Sequence, residues 1–110
     1  NMPTLIPIHA TDICVILANG LENATHACSG VSNKNNRKIR VLCKVKNKKI
    51  MIEIYNNFEG VIHYNDGIPY SKEKNHGLGI KSIIAAINKY QGIYSFTEEQ
   101  DTFIMRVILS

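Results

Sequence analysis

The hydrophobic period of this chain switches from about 3.6 residues to 2, then repeats the switch, and few folds accommodate that order. Ile13, Ile16, Leu17, Gly20, Ala24, Ala27 and Cys28 share one face of a helix. It starts between Ala10 and Asp12, with Thr11 or Asp12 as its cap, and stops at Ser29-Gly30. Ile39, Val41, Cys43 and Val45 then alternate with Arg40, Leu42, Lys44 and Lys46. Ile50, Ile52 and Ile54 alternate with Met51, Glu53 and Tyr55, and Asn47-Lys48 between the two runs suits a hairpin turn. Helical spacing returns at Ile80, Ile83, Ile84, Ile87 and Gln91 and stops at Gly92. Two closing strands, Ile93 to Thr97 and Thr102 to Leu109, flank the acidic turn Glu98-Glu99-Gln100-Asp101. Helix, hairpin, long connection, helix, hairpin describes an α+β fold, a two-layer sandwich with helices on one face of the sheet.

The chain reads as one domain, residues 1–110, with no internal repeat. No apolar run approaches the roughly 20 residues that cross a bilayer, so no direct membrane contact is expected. Asn1-Met2-Pro3-Thr4 does not read as a secretory signal. Lys and Arg outnumber Asp and Glu by 13 to 9, a net charge of +4. Much of the excess lies between Lys34 and Lys49, where basic residues alternate with apolar ones. That pattern describes a solvated strand pair; without interleaved aromatics or a recognition helix it is not read as a nucleic-acid surface. Cys14, Cys28 and Cys43 form no CxxC pair, and their apolar neighbours suggest buried free thiols in a reducing compartment.

From Asn56 to about His76 turn residues recur throughout, and only Val61 to Tyr64 has the makings of a short strand. A connection this long in a small domain is expected to be either disordered or functional, such as a lid over a site.

Two features carry chemistry. At about 100° per residue, Asp12, Asn19, Asn23 and His26 form a polar stripe beside the apolar face of the first helix. Asparagine is a poor helix former, so two of them in mid-helix call for a reason. Its amide offers an oxygen to a hard cation and N–H groups to a phosphate. The second feature is Asn75-His76-Gly77-Leu78-Gly79-Ile80, which opens the second helix. Glycines at a helix N-terminus let backbone N–H groups approach an anion that the macrodipole also favours. It is neither a P-loop nor a dinucleotide fingerprint, because the lysine-serine pair and the leading strand are missing.

Together these segments resemble a known family. Asp12-Ile13-Cys14-Val15-Ile16-Leu17-Ala18-Asn19-Gly20-Leu21-Glu22-Asn23-Ala24 is similar to the N box of the GHKL-type ATP-binding domain shared by histidine kinases and gyrase-type ATPases. Asn75-His76-Gly77-Leu78-Gly79-Ile80-Lys81-Ser82 is similar to its second glycine box. The nearest variant is the catalytic domain of quorum-sensing-class sensor histidine kinases. The resemblance implies the histidine kinase-like ATPase (Bergerat) sandwich, with a mixed, mostly antiparallel sheet. It implies that ATP and Mg²⁺ are bound and that a γ-phosphoryl group passes to a histidine on a separate helical dimerisation domain, with a response regulator downstream. It places this domain in the cytoplasm, as a piece of a membrane-anchored bacterial receptor.

By position, Asn23 matches the asparagine that holds Mg²⁺ in the family, and Asn19 the residue one turn earlier. In gyrase-type ATPases that earlier residue is a glutamate that activates water, so Asn19 suits a kinase. Glu22 points away from the stripe. His26 faces the phosphates, Gly77, Leu78 and Gly79 supply the glycine box with His76 before them, and Lys72 matches a phosphate-reaching lysine. Lys74 is its substitute. The usual D-x-G-x-G box is absent; Ile54-Tyr55-Asn56-Asn57-Phe58 stands there, and Asn56 occupies the place of the adenine-reading aspartate, with Asp66 the weaker candidate. A small anti-sigma-type serine kinase and a degenerate module acting through protein contacts are the competing readings.

Overall fold

A computed structural model describes residues 7–71 and 78–110. Helix α1 (Ala10–Ser29) leads through a 3₁₀ turn (Lys34–Asn36) into strands β1 (Ile39–Lys46) and β2 (Lys49–Asn57). A short hairpin, β3 (His63–Asn65) and β4 (Ile68–Tyr70), precedes α2 (Leu78–Asn88), β5 (Ile93–Glu99) and β6 (Thr102–Leu109). The four long strands form one sheet in the order β1-β2-β6-β5, and each described ladder is antiparallel. The result is the α+β two-layer sandwich implied by the order of elements.

Register builds the core. Ile52 lies beside Val107 and Ile54 beside Met105, with Phe96 on the other side of Met105. Ile16 and Ala24 of α1 and Ile80, Ile83 and Ile87 of α2 close over this row. Each such aliphatic side chain stabilises the fold by about 1.5–3 kcal/mol when fully buried. The helices come close to the sheet: a Cβ on Gly20 would stand 2.6 Å from Ile54 Cδ1 and 2.9 Å from Met105 Cε. Gly20 therefore serves close approach in mid-helix. Among the described residues no helix is long and apolar enough to cross a membrane.

Four expectations need correction. Of the three thiols only Cys28 is buried; Cys14 and Cys43 are exposed. Cys14 falls on the outer side of α1, and Cys43 on the edge strand β1, which the helices leave largely exposed. There Ile39, Val41 and Val45 also stand exposed, Val45 at 73%. Neither Thr11 nor Asp12 caps α1: the N-cap is His9, without a side-chain bond. The Asp12 carboxylate instead accepts hydrogen bonds from Tyr90 Oη and from Lys89 Nζ (3.1 Å), while the His9 N–H donates to the same Tyr90 oxygen at 3.0 Å. This network clamps the start of α1 to the end of α2, and the Tyr90 hydroxyl, then Lys89, holds the Asp12 carboxyl below its usual 3.8. The expected single strand at Val61 to Tyr64 is replaced by the β3–β4 hairpin, which turns at Asp66-Gly67, both at positive φ (52° and 76°). Finally, α2 ends at Asn88, short of the expected stop at Gly92, and the left-handed residue that follows it is Gln91 (φ 53°). Gly92 is needed for space: a Cβ there would lie 2.8 Å from Ile108 O, Ile87 Cγ2 and Leu109 Cδ2.

The predicted Asn47-Lys48 turn has both residues at positive φ, 53° and 64°, the geometry of a two-residue hairpin loop. On the helix-free face of the sheet Glu53, 8% exposed, accepts from Arg106 Nε at 2.5 Å and from Tyr55 Oη at 3.2 Å. A buried carboxylate is tolerable only when paired in this way.

Candidate functional site

A cavity of about 520 Å³ opens between the second half of α1, the end of β2 and the β3–β4 hairpin. That volume suits a cofactor-sized molecule. Asn23 and His26 of α1 line one side and Asn56, at the end of β2, lines the floor. The remaining wall is largely apolar, with Phe58, Ile62, Tyr70, Ile80 and Phe103 contributing.

Asn23 is the anomaly in this wall. Its Nδ2 is buried without a hydrogen-bond partner. An orphaned buried donor costs about 1–3 kcal/mol, so such a group asks for a ligand or a water. Asn56 is 3% exposed, and its Nδ2 donates to Asn57 O at 3.1 Å. That bond fixes the amide so that its carbonyl oxygen is the group left to accept.

Asn19 does not line the cavity. Its Nδ2 donates back to Val15 O at 2.8 Å, and a Cβ on Gly79 would lie 3.2 Å from its Oδ1. Asn19 thus packs α1 against the first turn of α2. Asp12, on the same stripe, is spent in the clamp with Tyr90. Leu78 and Gly79 are the first two residues of α2; Lys72, Lys74, His76 and Gly77 lie outside the described residues. Asp66 sits in the β3–β4 turn and is exposed.

The sequence did not single out the pairs that hold the cavity walls. Glu59 Oε1 accepts from Ser32 N at 2.5 Å and Ser32 Oγ at 2.7 Å, joining the loop after β2 to the loop after α1. These bonds lower the Glu59 pKa below its usual 4.5. Tyr64 Oη donates to Glu98 Oε2 at 2.8 Å, joining the β3–β4 hairpin to β5. Burial, then Glu98, pushes the Tyr64 hydroxyl up to about 12. His63 and Tyr70 face each other across that hairpin with ring centroids 5.9 Å apart. The only signal of the hairpin in the sequence is Asp66-Gly67.

Among the described residues no group of three or more His, Cys, Asp or Glu could hold a metal.

The GHKL domain family matches residues 8–110. No curated protein matches the chain. Among solved structures, the nucleotide-free catalytic domain of histidine kinase ThkA gives a TM-score of 0.69 at 18% identity, over 93% of this chain and 68% of that one. The Acinetobacter baumannii histidine kinase AdeS gives 0.67 at 18% identity, over 91% of this chain and 46% of that one. The histidine kinase domain of a blue-light activated histidine kinase from Erythrobacter litoralis gives 0.67 at 14% identity, over 89% and 45%. The chain thus spans about two thirds of the first and under half of the other two. At these identities the likeness is one of fold.

Proposed function

The chain belongs to the GHKL domain family, and from that membership we propose that it is the ATP-binding catalytic domain of a two-component sensor histidine kinase. The observation that carries this reading is the unpaired Asn23 amide in an otherwise largely apolar cavity beside the first turn of α2.

In this reading the adenine lies among Phe58, Ile80 and Phe103, and Asn56 accepts from its exocyclic amine through the fixed carbonyl oxygen. The phosphates point toward α2, whose first-turn N–H groups and macrodipole favour an anion. Asn19 keeps that turn in place, since its side chain rests on Gly79. His26 and Asn23 face the phosphates from α1, and Lys72, His76, Gly77 and Leu78 complete that side. Mg²⁺, when bound, supplies charge neutralisation between the phosphates. The donor set fits such an ion: Mg²⁺ keeps waters and phosphate oxygens and needs few protein ligands. Asn23 would present its carbonyl oxygen to it, because a half-turn of the amide exchanges oxygen for NH₂.

Phosphoryl transfer asks the protein mainly for positioning and electrostatics. Glu59 is the one carboxylate among the described lining residues, and Ser32 occupies it. The acceptor histidine belongs to a helical dimerisation domain and the response regulator acts downstream. The domain works on the cytoplasmic side of a membrane-anchored bacterial receptor.

Calorimetric titration of the chain with a non-hydrolysable ATP analogue, with and without Mg²⁺, tests this. Binding strengthened by Mg²⁺, with the Mg²⁺ effect lost in Asn23→Ala, is expected. Absence of binding at millimolar nucleotide would refute the reading and favour a module that works through protein contacts.

A further inference from the structure

The β3–β4 hairpin makes a wall of the cavity yet shares no ladder with the large sheet. Each of its strands has three residues. A two-stranded ribbon of that size is marginal in water and needs an outside anchor to hold one position. Its turn does not supply one, because Asp66 and Gly67 are exposed.

Two side chains of the hairpin, Tyr64 and Ile68, pack against the core. Ile68 contributes contact without direction. Tyr64 contributes both contact and a directed bond, its Oη donating to Glu98 Oε2 at 2.8 Å. Among the described residues, no other side chain of β3 or β4 hydrogen-bonds to the large sheet. Glu98 lies on β5 opposite Phe103 of β6, and Phe103 also lines the cavity. The bond therefore ties the hairpin, whose His63, Pro69 and Tyr70 line the cavity, to the strand pair that carries Phe103.

We propose that Tyr64 and Glu98 are positioning residues for the nucleotide: their hydrogen bond fixes the distance between the hairpin wall and Phe103, and so the fit of the base. The proposal rests on the nucleotide-binding reading of the cavity. Neither side chain lines the cavity itself, so both act through the wall. Fixing the wall before binding spares the ligand the cost of ordering it. The phosphate side, built on Asn23 and α2, does not depend on this bond.

The test uses Tyr64→Phe, which keeps the ring packed and removes only the hydroxyl, together with Glu98→Ala and Glu98→Gln. Affinity for a non-hydrolysable ATP analogue is measured with and without Mg²⁺. A solvent-exposed hydrogen bond of this kind corresponds to a loss of about two- to tenfold when one partner goes. Tyr64→Phe and Glu98→Ala should each show it, equally with and without Mg²⁺, so that the Mg²⁺ enhancement ratio stays at the wild-type value. Glu98→Gln keeps an acceptor and should recover most of the affinity. The double variant Tyr64→Phe/Glu98→Ala should bind no worse than either single one. Wild-type affinity in Tyr64→Phe overturns this inference alone. A fall in the Mg²⁺ ratio, or additive losses in the double variant, also overturns it, since a loosened fold would disturb both sides of the site. If the unaltered chain binds no nucleotide, the reading of the cavity fails and this inference with it.

Discussion

The two ends of α1 carry polar side chains on one stripe but treat them oppositely. At the first turn Asp12 is saturated, with Tyr90 and Lys89 both donating to it. Further along, Asn23 has a buried NH₂ without a partner. The first arrangement stabilises the sandwich by tying together residues 77 and 78 positions apart in sequence. In the proposed reading the second costs stability until a ligand meets it, so stability and function would be separated by height along a single helix.

Substitution at the open end should have the largest effect. Asn23→Ala should lose the Mg²⁺-dependent part of nucleotide affinity while the thermal midpoint holds or rises, because an orphaned donor disappears. A clear drop in midpoint would show that Asn23 is structural and would dissolve the contrast. At the clamped end the order reverses. Gly92→Ala forces a Cβ against Ile108 O and should destabilise by about 1–3 kcal/mol in a denaturant titration. Nucleotide affinity of the folded fraction should not change. Asp12→Asn should lower the midpoint by a smaller amount, again with affinity intact.

The pH profile sharpens this. The folded Asp12 pKa lies below 3.8, so its contribution is present above the unfolded value and is lost as pH falls through the folded one. The midpoint difference between the unaltered chain and Asp12→Asn should therefore be full at pH 6 and shrink as the pH falls below 3.8. A difference that grew on acidification would contradict the clamp. The smallest effect is a gain: Gln91→Gly relieves a left-handed residue and should stabilise by about 1 kcal/mol or less.

Both helices and the four long strands were legible because their periods record which face is covered. Thr102 to Leu109 is the observed extent of β6. Periodicity gives angle, however, and not height. It put Asp12 on one line with Asn23, although 11 positions separate them, about 16 Å along a helix. It also cannot say whether anything lies above a strand face. The apolar row of β1 alternates as well as that of β2, but the helices leave it largely uncovered, so Cys43 and Val45 are exposed. Of the β3–β4 hairpin only β3 was anticipated, as the short strand at Val61 to Tyr64, because three-residue strands have no period to read. Asn23, Asn56 and His26 line the same cavity. Asn19 does not, since its amide turns back to Val15.

The placement of the thiols has a practical consequence. Cys28 Sγ lies 3.5 Å from Lys38 O and 3.6 Å from Asn57 O, where the end of α1 meets the starts and ends of two strands. A thiol reagent reaches Cys14 and Cys43 in the native protein, but it reaches Cys28 only after the helix lifts from the sheet. The chain therefore carries its own clock for that opening. Two labels mark the start, and the arrival of the third times how often the layers part.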